Sequence, residues 1–246
     1  MFNNEITEQF RSRKLIVLII VFFLFGLLSP VTATFIPDII SKISESQNIK
    51  IDIPPPVWTD AVVQYVKNMS QMISFILIIV YMGIVAREKE NGILVFILVK
   101  PVKRSVYIFS KYASVCFTAL TGITVSFLIA SFYTYLFFDG FVISDFALEN
   151  LFILLNLLST LFIVVMFSSI FRSQIIAGIA SFFVYLLISL TSQFEKLSDF
   201  LPSGLIVQVN NIMAGHEITL VPVISTFVLM IICVLVSVYS FRKWEA

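Results

Sequence analysis

Long apolar runs alternate along this chain with short polar segments, at a spacing set by membrane thickness. A bilayer core of ~30 Å takes about 20 helical residues at ~1.5 Å each. That ruler predicts six spans, at Leu15 to Ile36, Met69 to Ala86, Tyr107 to Phe138, Leu151 to Phe171, Ile175 to Gln193 and Thr219 to Phe241. Helices are expected, because lipid offers no water to unpaired backbone groups and barrel strands would alternate apolar with polar positions. The third run is longer than a bilayer needs, so its first turns, around Lys111, are expected to project from the membrane.

The segments between the runs have characters of their own. In residues 1–14, Phe2, Ile6 and Phe10 recur every fourth position while Glu5, Glu8 and Gln9 lie elsewhere around the turn. This predicts an amphipathic helix on the membrane surface, held by the basic Arg11 to Lys14 cluster. Pro37 to Asn68 reads as an outer loop stiffened by Pro54 to Pro56. Phe194 to Glu217 is too apolar for an ordinary loop. Its middle, Leu201 to Met213, is too short to span, which predicts short re-entrant helices broken at Pro202 and ended near Gly215. Pro30 and Pro222 are candidate kinks in the first and last spans.

Composition agrees, with 59% hydrophobic and 13% charged residues, outside the range of a soluble domain. The fold class expected is an all-α membrane protein, a single transmembrane domain over residues 1–246. The net charge of +1 gives no general attraction to nucleic acid, so the distribution of charge carries the information. Twelve Lys and Arg fall on the side of the N-terminus, and Lys42, Lys50, Lys67 and Lys196 fall on the other. The positive-inside rule then predicts a plasma-membrane protein with both termini cytoplasmic. No small-residue cleavage motif follows the first run, so that run is expected to stay as a span. Cys116 and Cys233 lie in apolar runs and read as packing residues, with no metal site between them.

Chemistry is scarce. Apart from Lys111, the six predicted spans contain no Asp, Glu, Lys, Arg or His, which disfavours ion-coupled transport, and no zinc or serine-hydrolase motif is present. A phosphate-binding G-x-x-x-x-G-K-[ST] loop is absent as well. Asn156 and Thr160, four residues apart on one helix face, either line a substrate path or hydrogen-bond neighbouring helices and their own backbone. His216 reads as a solvated loop residue.

The densest polar cluster is "REKENG", Arg87 to Gly92, followed by "ILVFILV", Ile93 to Val99, which as helix would extend only ~10 Å. Pro101 stops that helix, and Lys103 and Arg104 mark the next boundary. Two readings stand: a short helix whose tip docks a soluble partner through Arg87, Glu88, Lys89 and Glu90, or a solvated loop whose charges fix topology.

Glu88, Glu90, Gly92, Ile93 and Leu94, then Pro101, Val102, Arg104 and Lys111, follow the pattern E-x-E-x-G-[TI]-L, apolar run, P-[VI]-x-R, Lys. In this the chain resembles the permeases of ABC type-2 transporters, with Ile93 where Thr is more usual and Ser110 where Gly often precedes the Lys. The resemblance implies a cytoplasmic coupling helix between spans 2 and 3, seated in a separate ATPase subunit that binds ATP and Mg, while this chain binds no cofactor. It implies that Glu88 and Glu90 make the main polar contacts with that ATPase, that Gly92 allows a sharp turn, and that Arg87, Lys89 and Arg104 hold the helix at the interface. It also implies a second permease copy or a paralogue as dimer partner, in contact with membrane lipid. The expected function is that of an exporter's permease, itself no enzyme; a non-transport scaffold or immunity protein recruiting a cytoplasmic partner is the alternative, and an enzyme acting on lipid the third reading.

Overall fold

The computed structural model describes residues 2–46, 55–94 and 104–243, and within these every regular element is a helix. In chain order they are α1 (Phe2–Arg11), α2 (Lys14–Ser46), α3 (Trp58–Lys67), a π-helical turn (Asn68–Ile73), α4 (Ser74–Tyr81), α5 (Ala86–Glu90), α6 (Arg104–Phe137), α7 (Ile143–Ile170), α8 (Gln174–Leu190), α9 (Glu195–Ser198), α10 (Ser203–Ala214) and α11 (Val221–Arg242). Six stretches among the described residues are long and apolar enough to cross a membrane: Lys14–Pro37, Trp58–Glu90, Arg104–Phe137, Ile143–Ile170, Gln174–Gln193 and Val221–Arg242.

The number of such helices matches the pattern read from the sequence, but several boundaries move outward. The second begins at Trp58 rather than Met69, and the fourth at Ile143 rather than Leu151. Helix α2 runs through Pro30 and Pro37 to Ser46, so most of the described part of the expected outer loop is helical. The cause is general: a hydrophobicity ruler marks the apolar middle of a helix, whereas backbone hydrogen bonding continues into polar turns. Around Pro30, Ser29 Oγ donates to Phe25 O at 2.7 Å and Thr34 Oγ1 to Pro30 O at 2.9 Å, so side-chain hydroxyls in this stretch are satisfied by their own helix's carbonyls.

The longer fourth helix changes the inventory of ionisable groups. Glu149, expected outside the span, is fully buried within α7, and neither carboxylate oxygen has a hydrogen-bond partner among the described residues. The expectation of charge-free helices therefore does not hold for α7. The helix carries Asp145 and Glu149 in its first turns because its apolar face starts only where the sequence turns uniformly greasy.

Helix α7 is the hub, packed on α4, α6, α8, α10 and α11. The α2–α6 pair packs with its backbones close together. A Cβ on Gly26 would stand 2.9 Å from Ser126 O, and one on Gly122 would overlap the ring of fully buried Phe22. Small residues permit this in lipid, where dispersion contacts drive helix association. Between the fifth and sixth spans, α9 and α10 are short helices separated around Pro202. Gly215, at φ +70, ends α10 with the N–H of His216 bonded to Asn211 O at 2.9 Å. These turns follow the sequence pattern.

Candidate functional site

The segment Met82–Val85 breaks the helical ladder between α4 and α5. The break frees backbone donors, and one side chain from α7 takes up two of them: Ser168 Oγ accepts from Val85 N at 3.0 Å and from Ala86 N at 2.9 Å. Ser168 is fully buried, so no water is at hand to replace it. This serine stood out in the sequence only as one small polar residue within a span.

The five residues of α5 then divide by direction. Arg87 and Glu90 are exposed, whereas Lys89 is buried and donates through Nζ to Ser169 O at the C-terminal end of α7. That placement suits a cation, since the last carbonyls of a helix lack intrahelical donors. Glu88 also turns inward. Its Oε1 pairs with Lys111 Nζ of α6, and its Oε2 accepts from Tyr107 OH at 2.5 Å. Expected at the outer docking surface beside Glu90, Glu88 is instead tied to the body of the protein. The reason is that Lys111 is 2% exposed and a buried cation requires carboxylate partners. Lys111 is accordingly enclosed by protein.

The second partner of Lys111 comes from α1. Glu5 Oε2 lies 2.8 Å from Nζ, one turn before Gln9, which is buried and meets the hydroxyls of Tyr81 and Thr118 at 3.3 and 2.7 Å. Helix α1 therefore lays its polar face on the protein and leaves Phe10 exposed. Burial pushes the Glu5 carboxyl above its ordinary value, outweighing the pull of Lys111, and the neighbouring Glu88 and Glu8 charges act in the same direction as burial. Carboxylate oxygens of Glu5, Glu8 and Glu88 lie within 4.8 Å of one another, the one grouping among the described residues with the spacing of metal ligands. Lys111 already pairs with two of the three, Glu5 and Glu88.

Around this cluster runs a cleft of about 310 Å³ between α1, α5 and α6, reached by Lys14, Arg87 and Asn91. Behind it Tyr107 stacks on Phe241 of α11, with ring centroids 5.0 Å apart. Arg104 Nη1 donates to Arg242 O at 2.7 Å, tying the start of α6 to the end of α11. Gly92 follows α5 at φ +69, a left-handed turn that a side chain would strain, and Leu94 just beyond it is fully buried. Pro101, with the rest of residues 95–103, lies outside the described residues. Of the sites singled out from sequence, Glu88, Lys89, Arg104 and Lys111 are thus brought together as one latch, whereas exposed Arg87 borders the cleft beside it and exposed Glu90 accepts from Gln174 N of α8. The partners supplied by Glu5, Tyr107 and Ser168 carry no motif, and only the packing of α1 and α7 on the segment reveals them.

Asn156 and Thr160 are far along α7 from this latch, in a second concavity. They line a cavity of about 80 Å³ with Ser70 and Gln71 of the π-helical turn, Tyr185 of α8 and Pro202. Thr160 Oγ1 donates to Asn156 O at 3.2 Å and Asn156 Nδ2 to Pro202 O at 3.2 Å. Both side chains thus line the cavity while hydrogen-bonded to backbone, one within α7 and one to the segment before α10.

Over its whole length the chain is similar to the uncharacterized transmembrane protein YxlG of Bacillus subtilis (strain 168), at 27% identity over 254 residues covering 97% of that protein. Six apolar helices and a transmembrane relative identify a multi-pass membrane protein. A family model matches residues 51–245, from the segment before α3 to beyond α11, and the chain belongs to that family, described as "Protein of unknown function (DUF2705)".

Proposed function

We propose that this chain is the transmembrane permease subunit of an ATP-driven exporter of the ABC type-2 kind, working as a dimer with a second permease and driven by a separate cytoplasmic ATPase. The observation that carries the reading is the Glu88–Lys111 pair. These two positions of the resembling pattern, 23 residues apart, meet at one buried point where α1 also arrives. A force applied to the exposed face of α5 would pass to α6 through that pair and to α7 through Lys89 and Ser168. It would not dissipate in a loose loop. Helix α5 is in this reading the coupling helix, with Arg87 and Glu90 meeting the ATPase and Glu88 transmitting the load.

In the same reading the termini are cytoplasmic, following the positive-inside bias of the sequence. Helix α1 lies at the inner membrane surface, where exposed Phe10 meets lipid while Glu5 and Gln9 grip the protein. Helices α9 and α10 dip into the outer leaflet and return. ATP and Mg belong to the partner.

The test is reconstitution with the cognate ATPase. Exchanging the exposed charges, Arg87→Glu with Glu90→Arg, should abolish co-purification, and Glu88→Gln should preserve co-purification while uncoupling hydrolysis from the permease. Wild-type recovery of the ATPase by the charge-exchanged protein would overturn the docking role of α5.

A further inference from the structure

The cavity around Asn156 is uncharged, with no Asp, Glu, Lys, Arg or His in its lining, yet its hydrogen-bonding capacity is one-sided. Ser159 Oγ bonds to Asn156 O at 2.7 Å, Tyr185 OH to Ser70 O at 2.7 Å and Ser192 Oγ to Ser189 O at 2.8 Å. A carbonyl only accepts, so each hydroxyl has spent its proton on the backbone, as Thr160 has, and offers lone pairs alone. Ser203 is in the same position. Its partner Thr191 commits its own proton to Ile188 O, so Ser203 must donate across the 2.9 Å contact between the two hydroxyls.

Asn156 completes the bias. It is 8% exposed, its Nδ2 is held by Pro202 O, and its Oδ1 has no donor among the described residues. Among the described residues the uncommitted protons are the second N–H of Asn156 Nδ2, those of Gln71 on the exposed rim, and that of Ser189, fewer than the acceptor lone pairs around them. A site built of oxygen acceptors is complemented by a ligand head that donates several hydrogen bonds.

An ammonium head donates N–H groups and accepts none, which matches such a lining. The cavity holds about 80 Å³, against ~10–15 Å³ for one water, so there is room for a head group and not for a whole amphiphile. The rest of the lining includes Ile163, Ile188 and Ile206, and α8 beside it exposes Phe183 and Leu187 along an apolar face. A tail leaving the cavity would lie there.

We propose that the cavity binds the primary ammonium head of an amphipathic amine, with N–H groups donated to Asn156 Oδ1 and to the Thr160 and Ser159 oxygens. The inference rests on the permease reading only for the ligand's being cargo, since binding itself needs no ATPase. Calorimetric titration of the full chain in lipid nanodiscs, corrected against empty nanodiscs, should show saturable binding of octylamine. Octyltrimethylammonium, which has the charge but no N–H, and octanol, which has one donor and no charge, should each bind at least about 10-fold more weakly, the worth of one charge-assisted hydrogen bond. Asn156→Leu should raise the octylamine Kd by about 10-fold. Thr160→Val, which keeps the shape of the residue, provides the same test if the leucine variant does not fold. Equal affinity for the three probes, or wild-type octylamine affinity in both cavity variants, would overturn the site. Either result would leave ATPase recruitment by α5 standing, and failed recruitment would leave the binding result standing.

Discussion

Removing Lys111 is the sharpest perturbation of the latch. Lys111→Met keeps much of the buried aliphatic stem but strands two carboxylates, Glu88 and Glu5, whose side chains are 15% and 16% exposed. Breaking a buried ion pair from one side costs ~3–5 kcal/mol, because the surviving charge stays desolvated. Here each acid retains some water contact and Glu88 keeps the Tyr107 hydroxyl, which places the expected loss at the low end, about 3 kcal/mol. Neutralising the whole cluster is different in kind. In Glu5→Gln/Glu88→Gln/Lys111→Met no charge is left unpaired, and the protein should recover to within about 1 kcal/mol of wild type, since neutral replacement of a buried ionic group is often close to neutral in stability. Unfolding in mixed SDS–detergent titrations, followed by loss of helical circular dichroism, would compare the two proteins. The reasoning fails if Lys111→Met unfolds at the wild-type midpoint, or if the triple variant is less stable than the single one.

Other features make separate predictions. Ser168→Ala leaves the Val85 and Ala86 N–H groups without their acceptor, an expected cost of about 2 kcal/mol, read as faster amide exchange in residues 85–88 with little change elsewhere in α7. Gly26→Ala drives a methyl to 2.9 Å from Ser126 O and should cost about 1–3 kcal/mol in the same SDS titration, unless α2 and α6 part without loss. Glu149→Leu should raise stability by about 1 kcal/mol or more by removing a buried acid that has no hydrogen-bond partner among the described residues, and a lower unfolding midpoint would indicate a structural partner for it. Docking of α1 should tighten as pH falls from neutrality toward about pH 5, because the Glu5 carboxyl is raised in the docked state and docking therefore takes up a proton. Exchange protection across residues 5–10 measures this. Glu5→Gln should flatten the dependence, and weaker protection at the lower pH would contradict the sign.

How far the site could be read from sequence depends on the range of each interaction. Six spans were legible because a bilayer imposes a length on every helix, and the end of α10 was legible because Gly215 supplies a left-handed cap that few other residues accept. The sequence drew attention to residues 87–92 through their charge density, but charge density does not say which way a side chain faces. Glu88 and Glu90 are two positions apart on a short helix, hence on nearly opposite sides of it, and only one of them can meet a buried cation. Which one is decided by Lys111, 23 residues later, and by Glu5, at the far end of the chain. The outward displacement of the helix ends had a local cause, yet it hid Glu149, because a ruler tuned to apolar runs begins counting where the last acid ends.

Under the proposed permease reading, the inward turn of Glu88 also bears on how force would be transmitted. A charged helix held only by lipid headgroups would yield under load, since surface ion pairs are worth at most ~1 kcal/mol. Helix α5 is fixed on three sides by interactions that are hard to solvate: Ser168 on its first amides, Lys89 on the end of α7, and Glu88 on Lys111. Two of these three contacts end on α7, the helix that also carries Asn156, Thr160 and Glu149. A displacement of α5 would therefore bear on the same rigid element that forms one wall of the distant cavity. Coupling between the two sites then requires only that α7 move as a body, and cross-linking α7 to α11 should abolish it without disturbing either site alone.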